Sequence, residues 1–244
     1  MTNNIIPVLI LLLSFTLFSC GNGKRNVKEF YLPIEQLKEG LVYEYRSLNN
    51  DQKTIVYWYY RTHQRDSGLF LVGQYYDQNL NVMQLATEEI VSNGSIIHSY
   101  RLYDVDSTGQ RIVMDAQLKS VNAFPFEVSD STGIFLMELK FVQQQAPEIS
   151  TTLVRNRRYK GDATYTFKGK QVDCIEFSVI EQLEFVDQEK GGISPQKNIG
   201  KELYAKDIGL IYYKKAYNAD FIIEYELADI YSMEVLEQKL KRLQ

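Results

Sequence analysis

Alternation with a period of two recurs through most of the chain beyond residue 40, and it constrains the fold more than any other feature. In DATYTFK, Ala163, Tyr165 and Phe167 share one face while Thr164, Thr166 and Lys168 share the other. In FIIEYELADIY, Phe221, Ile223, Tyr225 and Leu227 oppose Glu224 and Glu226. That spacing is the mark of strands with one buried face. Turn sequences such as RDSG, DQNLN, SNGS, FKGK and YNAD interrupt the runs about every ten residues, the rhythm of an antiparallel meander. The expected strands are 41–48, 53–63, 68–77, 80–91, 95–105, 110–118, 134–143, 149–159, 162–168, 170–186, 199–206, 209–217 and 220–231. TIVYWYYRTH is aromatic on both faces, with Trp58 and Tyr60 opposed to Tyr57 and Tyr59. A strand covered on both sides, or one whose outer face binds something, reads this way.

The chain closes differently. In SMEVLEQKLKRLQ, Met233, Leu236, Leu240 and Leu243 fall at helical spacing. Ser232 is a candidate cap, Glu234 lies in the first turn, and Lys239, Lys241 and Arg242 crowd the end, all favourable to the helix dipole. The stripe is expected to pack on the sheet; cover over a ligand groove or docking to a partner is the alternative. KEFYLPIEQLKEG suits a short helical turn, and residues 119–133 read as irregular. The fold class is therefore mostly β: a curved antiparallel sheet or half-barrel meander with one C-terminal amphipathic helix. Curling and a covering helix both protect exposed strand edges.

At the other end, the apolar stretch Ile5–Phe18 is too short to span a bilayer, which takes about 20 residues as a helix, and suits a secretory signal. Leu17, Phe18 and Ser19 lead into Cys20, and Gly21 follows. This resembles the lipobox of bacterial lipoprotein precursors. The resemblance implies cleavage before Cys20, a diacylglycerol on its sulfur and a further acyl chain on its amino group. One acyl chain holds weakly, whereas two or more hold firmly. Residues 1–19 carry no Lys or Arg, a departure from the usual basic start. The expected organisation is a signal peptide over 1–19, a lipidated tether over 20–26, and a single β-rich domain over 27–244 that includes the helix 232–244. Gly21, Asn22, Gly23, Lys24 and Arg25 follow the cysteine with no acidic residue, which favours an outer-membrane anchor facing the periplasm.

Net charge is −4 at pH 7, and nothing suggests a nucleic-acid partner. Arg155, Arg157, Arg158 and Lys160 form a small basic cluster, read as a solvated face, with contact to anionic lipid phosphate as the sharper alternative. With Cys20 acylated, Cys174 has no disulfide partner and reads as a buried, inert thiol within a strand. Asp104, Asp106, Thr108, Gly109 and Asp115 fall at positions one, three, five, six and twelve of a calcium-loop spacing. Position twelve is Asp instead of Glu and strands flank the loop, so a hairpin turn explains the same residues. His63 and His98 are the two histidines, each in a strand-like run outside any base–nucleophile motif; no catalytic residue, resident metal or cofactor is implied. A glycosidase would need only two suitably spaced carboxylates, and among 31 acidic residues Glu88, Glu89, Glu181 and Glu184 are indistinguishable candidates.

Eighteen tyrosines, twelve phenylalanines and one tryptophan suit sheet packing and equally an aromatic groove. In ELYAKDIGLIYYKKAY, Tyr204, Ala205, Gly209, Leu210 and Ile211 resemble the closing hairpin of bacterial envelope proteins with strongly curved antiparallel sheets, similar to the half-barrels of lipoprotein carriers. Asp207 replaces the first glycine of that pattern. The resemblance implies a membrane-anchored, non-enzymatic envelope lipoprotein that binds an apolar or amphiphilic ligand such as a lipid. An assembly component binding other envelope proteins through a sheet edge or the terminal helix is the alternative, and a carbohydrate-active enzyme is a third.

Overall fold

A computed structural model describes residues 23–49, 54–105, 108–129, 134–142, 148–187, 191–192 and 195–242. The lipobox with Cys20, Asp106 of the calcium spacing, the second DSTG and Leu243 lie outside these residues. Twelve long strands follow in chain order: β1 (Leu41–Ser47), β2 (Ile55–Arg65), β3 (Gly68–Tyr76), β4 (Val82–Val91), β5 (Gly94–Val105), β6 (Arg111–Pro125), β7 (Phe135–Val142), β8 (Ile149–Phe167), β9 (Lys170–Asp187), β10 (Gln196–Ala205), β11 (Gly209–Ala216) and β12 (Ile222–Tyr231). Each pairs antiparallel with its chain neighbour, and β12 returns to pair with β1 from Tyr225↔Ser47 to Tyr231↔Val42. The wall is thus a closed twelve-stranded up-and-down barrel and goes further than the curved sheet or half-barrel expected. The difference is one long-range ladder between the first and last strands, and closure of this kind removes the free edges of the sheet.

Two expected strands, 149–159 and 162–168, are one strand. YKGD reads as a turn but forms a bulge: the register with β9 shifts between Tyr159 and Gly161, where φ is +127°. Glycine tolerates that angle and the ladder continues past it. β6 also runs on to Pro125, through part of the stretch read as irregular. Beyond the bulge, the β8–β9 hairpin curls over the outside of β10–β12. Tyr165 donates to Glu226 at 3.0 Å, and Lys168 bonds Asp229 at 2.7 Å. Cys174 lies under this flap, 1% exposed, and burial pushes its thiol up to about 11, as suits an inert sulfur.

One mouth of the barrel is stoppered by the N-terminal segment. Arg25–Asn26 pairs with Glu127–Val128, and short 3-10 turns follow at Lys28–Phe30 and Ile34–Leu37. Val27, Phe30, Tyr31 and Leu37 are buried against Phe124, Phe126, Val128 and Tyr204. Val27 N–H bonds the Phe126 carbonyl, and Asp207 N–H bonds that of Glu29, both at 2.8 Å. The β10–β11 hairpin that receives this stopper carries the residues of the envelope-protein resemblance. Asp207, where that pattern has glycine, takes φ +59°, and Gly209 takes φ +98°. A Cβ on Gly209 would stand 2.9 Å from Leu32 of the stopper, so the glycine serves both turn and close approach.

The helix α1 (Met233–Lys241) lies against the outer wall. Met233, Leu236 and Leu240 pack on Val42, Tyr57 and Tyr231, which explains why β2 is aromatic on both faces. Ser232 stands at the N-cap, but its side chain makes no capping bond; its carbonyl accepts from Val235 and Leu236 N–H instead. Under the helix, Glu44 accepts from Tyr231 at 2.6 Å, from Arg46 at 2.6 Å and from Lys239 at 3.2 Å. Burial alone would raise its pKa, but these donors together hold it below the ordinary value.

Elsewhere the outer wall is charged. Arg61, Asp115, Arg158 and Lys201 point outward from within their strands. On a lipid-facing wall a basic residue at mid-depth costs about 2–4 kcal/mol, so this surface is built for water. Among the described residues, no helix is long and apolar enough to cross a membrane. Replacing Leu236 with Ala should cost about 2–4 kcal/mol by cavity formation, read as a lower urea midpoint. Exposed Ile199→Ala should change stability by less than about 0.5 kcal/mol.

Candidate functional site

The inward stripe of each strand follows from parity. Tyr43 and Tyr45 of β1, Trp58 and Tyr60 of β2, Tyr75 of β3, Tyr213 of β11 and Tyr225 of β12 line one side. Trp58 stacks on Tyr60 with centroids 5.5 Å apart and planes 3° from parallel, and Tyr213 stacks on Tyr225 at 5.3 Å. Gly73 is the cross-strand partner of Tyr60; a Cβ there would come within 2.9 Å of the Tyr60 ring, so its absence lets the ring lie against the strand. A smaller apolar cluster, with Met137, Leu139, Phe141 and Leu153, lines the facing wall.

The interior is not purely apolar. Arg155 and Arg157 point inward from β8, Glu181 from β9, Glu202 from β10 and Lys215 from β11. Arg157 bonds Glu202 through Nε at 2.7 Å and the Ala123 carbonyl through Nη1 at 2.6 Å. Tyr204 donates to the same Glu202 at 2.7 Å. Glu181 accepts from Arg155 Nε at 2.7 Å, from Lys215 at 2.8 Å and from Asn198 at 3.3 Å. The reading of Arg155, Arg157, Arg158 and Lys160 as one solvated cluster is therefore corrected. Arg158 and Lys160 face water, whereas Arg155 and Arg157 are interior. Parity carried the signal, because Leu153, Arg155, Arg157 and Tyr159 form one stripe with an apolar residue at each end.

Burial opposes ionisation of Glu181 and Glu202. Arg155 and Lys215 around Glu181, and Arg157 beside Glu202, outweigh it and hold both carboxyls below their ordinary range. Lys215 is shifted down, first by burial and then by the neighbouring Arg155, against the pull of Glu181. Asn198 Oδ1 is buried without a hydrogen-bond partner among the described residues.

Arg155, Arg157, Glu202 and Lys215 border a cavity of about 340 Å³ inside the barrel. Tyr31 and Leu32 of the stopper, with Phe124 and Leu210, close one end, and Arg155 and Lys215 border the other. Glu88 also lines it and accepts from the hydroxyls of Tyr31 and Ser95. A second cleft of about 630 Å³ lies between the stopper and the rim, beside Pro33, Gln36, Leu69 and Ile90.

The remaining sequence candidates lie elsewhere. Glu89 faces the outer wall beside Gly68, and Glu184 accepts from Gln182. Glu88 and Glu181 both face the interior; Glu181, held ionised, does not suit the acid role of a glycosidase pair. His98 rests against Phe70 and His63 is the cross-strand partner of Phe70, both outside the cavity lining. In the calcium spacing, Asp115 pairs with Arg101 and Asp104 with Ile112, which places the two aspartates on opposite faces of the β5–β6 hairpin. Asp115 bonds Arg101 at 2.7 Å, and Asp104 accepts from the Val105 N–H. Thr108 lies in the turn, and no group of three or more potential metal ligands occurs among the described residues.

No family model matches the sequence. The chain is similar in fold to a candidate lipoprotein from Parabacteroides distasonis, with a TM-score of 0.50 and 10% identity over 83% of this chain and 98% of that one. A candidate exported protein with a YmcC-like fold from Bacteroides fragilis superposes at a TM-score of 0.48 with 13% identity, over 83% of this chain and 99% of that one. In sequence, the chain is 26% identical over 164 residues to one of the component chains of an ATP-dependent helicase/nuclease from Enterococcus faecalis. The match covers 64% of this chain and 12% of that protein. The Gly-x4-Gly-Lys-Ser/Thr phosphate loop that cradles a nucleotide does not occur here.

Glu202→Gln, which strands Arg157 in the interior, should cost about 3–5 kcal/mol, and Arg157→Met together with Glu202→Leu should recover most of it. The pH dependence has a definite sign. Carboxyls held low in the folded state add stability that is complete above their unfolded value, about 4.3 for Glu, and lost as pH falls through the lowered one. Acid titration of unfolding free energy should therefore show a falling limb below about pH 4, shallower in Glu202→Gln.

Proposed function

We propose that this protein is an envelope lipoprotein, anchored through acyl chains on Cys20 and facing the periplasm, whose barrel interior binds an apolar or amphiphilic small molecule. The observation that carries the reading is the cavity of about 340 Å³, with stacked aromatic rings along one wall and paired charges at one end. Ligand cavities combine such an apolar surface with a few placed polar groups and begin at about 300 Å³. The lipobox resemblance supplies the anchor, and the charged outer wall is consistent with a body held beside the membrane instead of within it. Arg25 is fixed at the stoppered mouth through Tyr159 and Asp162. It stands five positions beyond Cys20, a reach of at most about 18 Å, so the stoppered end is the one turned to the membrane.

Two measurements test this reading. Replacing Cys20 with Ser should move the protein from the membrane to the soluble fraction; unchanged membrane retention would refute the anchor. Native mass spectrometry of the protein from its own host should show a non-protein mass near one per chain, released on denaturation. That mass should be absent from an Ala86→Phe variant, whose added ring projects from the cavity wall.

A further inference from the structure

We infer that the barrel cavity takes a single-chain amphiphile with an anionic head, the head held between Lys215 and Arg155 and the chain lying toward the stopper. This rests on the ligand-binding reading above and adds the chemical class. Charge accounting at one end of the cavity carries it. Glu181 is shared by two cations: Lys215 holds one of its oxygens, and Arg155 holds the other through both Nε and Nη2. Arg157 has its own carboxylate in Glu202, completed by the Ala123 carbonyl and the Tyr204 hydroxyl. Two cations against one carboxylate leave one positive charge in excess where Lys215 and Arg155 border the cavity.

Donors are in excess there as well. Among the described residues, Lys215 gives one of its three N–H groups to Glu181, and Arg155 gives Nε and Nη2 and keeps Nη1. A carboxylate head would cancel the surplus charge and receive these donors at once, the charge-assisted geometry that binds most strongly. Glu88, the remaining carboxylate in the lining, stands across the ring on β4 and is engaged by the hydroxyls of Tyr31 and Ser95. It acts on Arg157 and balances the interior overall, so the positive excess is local to the Lys215 end.

The rest of the cavity fits a chain. Leu210 and Lys215 lie five residues apart on β11 and both border the cavity. The separation along the strand is about 16 Å, the reach of a medium-length acyl chain. Between those ends the chain would lie against Trp58, Tyr60 and Tyr213, rings that present faces and leave room for a slender apolar group.

The test is a titration series with one chain length and three heads: dodecanoate, dodecanol and dodecyltrimethylammonium. It uses the chain from Gly21 onward, which retains the stopper, the whole closed barrel and the helix. Calorimetry at neutral pH, below the micelle concentration, should find dodecanoate at least about tenfold tighter than dodecanol, with the ammonium weakest. In Lys215→Met, the preference for dodecanoate over dodecanol should disappear. Equal binding of all three heads to the unmodified chain would overturn the anionic-head inference and leave the binding reading standing. The wild-type series decides this even if Lys215→Met fails to fold. Binding of none of them would sink the small-molecule reading and this inference together.

Discussion

Closure of the wall is the constraint on which the rest depends. The ladder between β1 and β12 joins residues nearly two hundred positions apart and turns a meander into a ring. Once the ring exists, each long strand has a neighbour on both sides, and the inward stripe of each strand has nowhere to go but the interior. Twelve strands enclose more space than their own side chains fill, since barrel diameter grows with strand number. The protein answers with three devices. Tyrosine, tryptophan and phenylalanine rings occupy most of the width. The segment Val27–Leu37 enters one mouth and adds its own apolar side chains. Across the middle, arginine–glutamate pairs occupy space that an apolar core would otherwise take, and beside them lies the cavity.

Those pairs need explaining on energetic grounds. A buried ion pair is seldom more stabilising than an apolar pair of the same volume, because each ion must shed its water. Stability alone does not account for two arginines, a lysine and three glutamates inside one barrel. Their arrangement sets Lys215 and Arg155 on one shared carboxylate at one side of a cavity whose remaining lining mixes aromatic rings with Arg157, Glu202 and Glu88. The proposed amphiphile would set its head at the Lys215 side and its chain against the aromatic rings between that side and the stopper.

Most of the wall is legible in the sequence. Phe221, Ile223, Tyr225 and Leu227 share a stripe as their spacing requires, and the two aromatic faces of β2 are explained once α1 covers Tyr57 and Tyr59. Three things are not legible, each for a physical reason. Closure depends on pairing between chain ends, which no local pattern encodes. The bulge at Gly161 uses the same residues as a turn, and only its partner strand distinguishes them. The inward arginines defy the default that charge in a strand faces water; their shared stripe with Leu153 and Tyr159 was the available clue, and their carboxylate partners on β9 and β10 come from sequence 26 and 45 residues away. Asp207 and Gly209 show the reverse case, since the positive φ of both accords with the hairpin pattern that the residues suggested.

The central claim is that a small apolar chain lies inside this ring against its aromatic wall. Trp58 is the single tryptophan and borders the cavity, so its emission reports on that space alone. A titration with a bromine-labelled dodecyl chain, which quenches tryptophan on close contact, measures this directly. Saturable quenching at one chain per protein, lost in Ala86→Phe, is the result expected. Emission that falls only in proportion to bulk quencher, or that ignores the Ala86 change, would contradict the account.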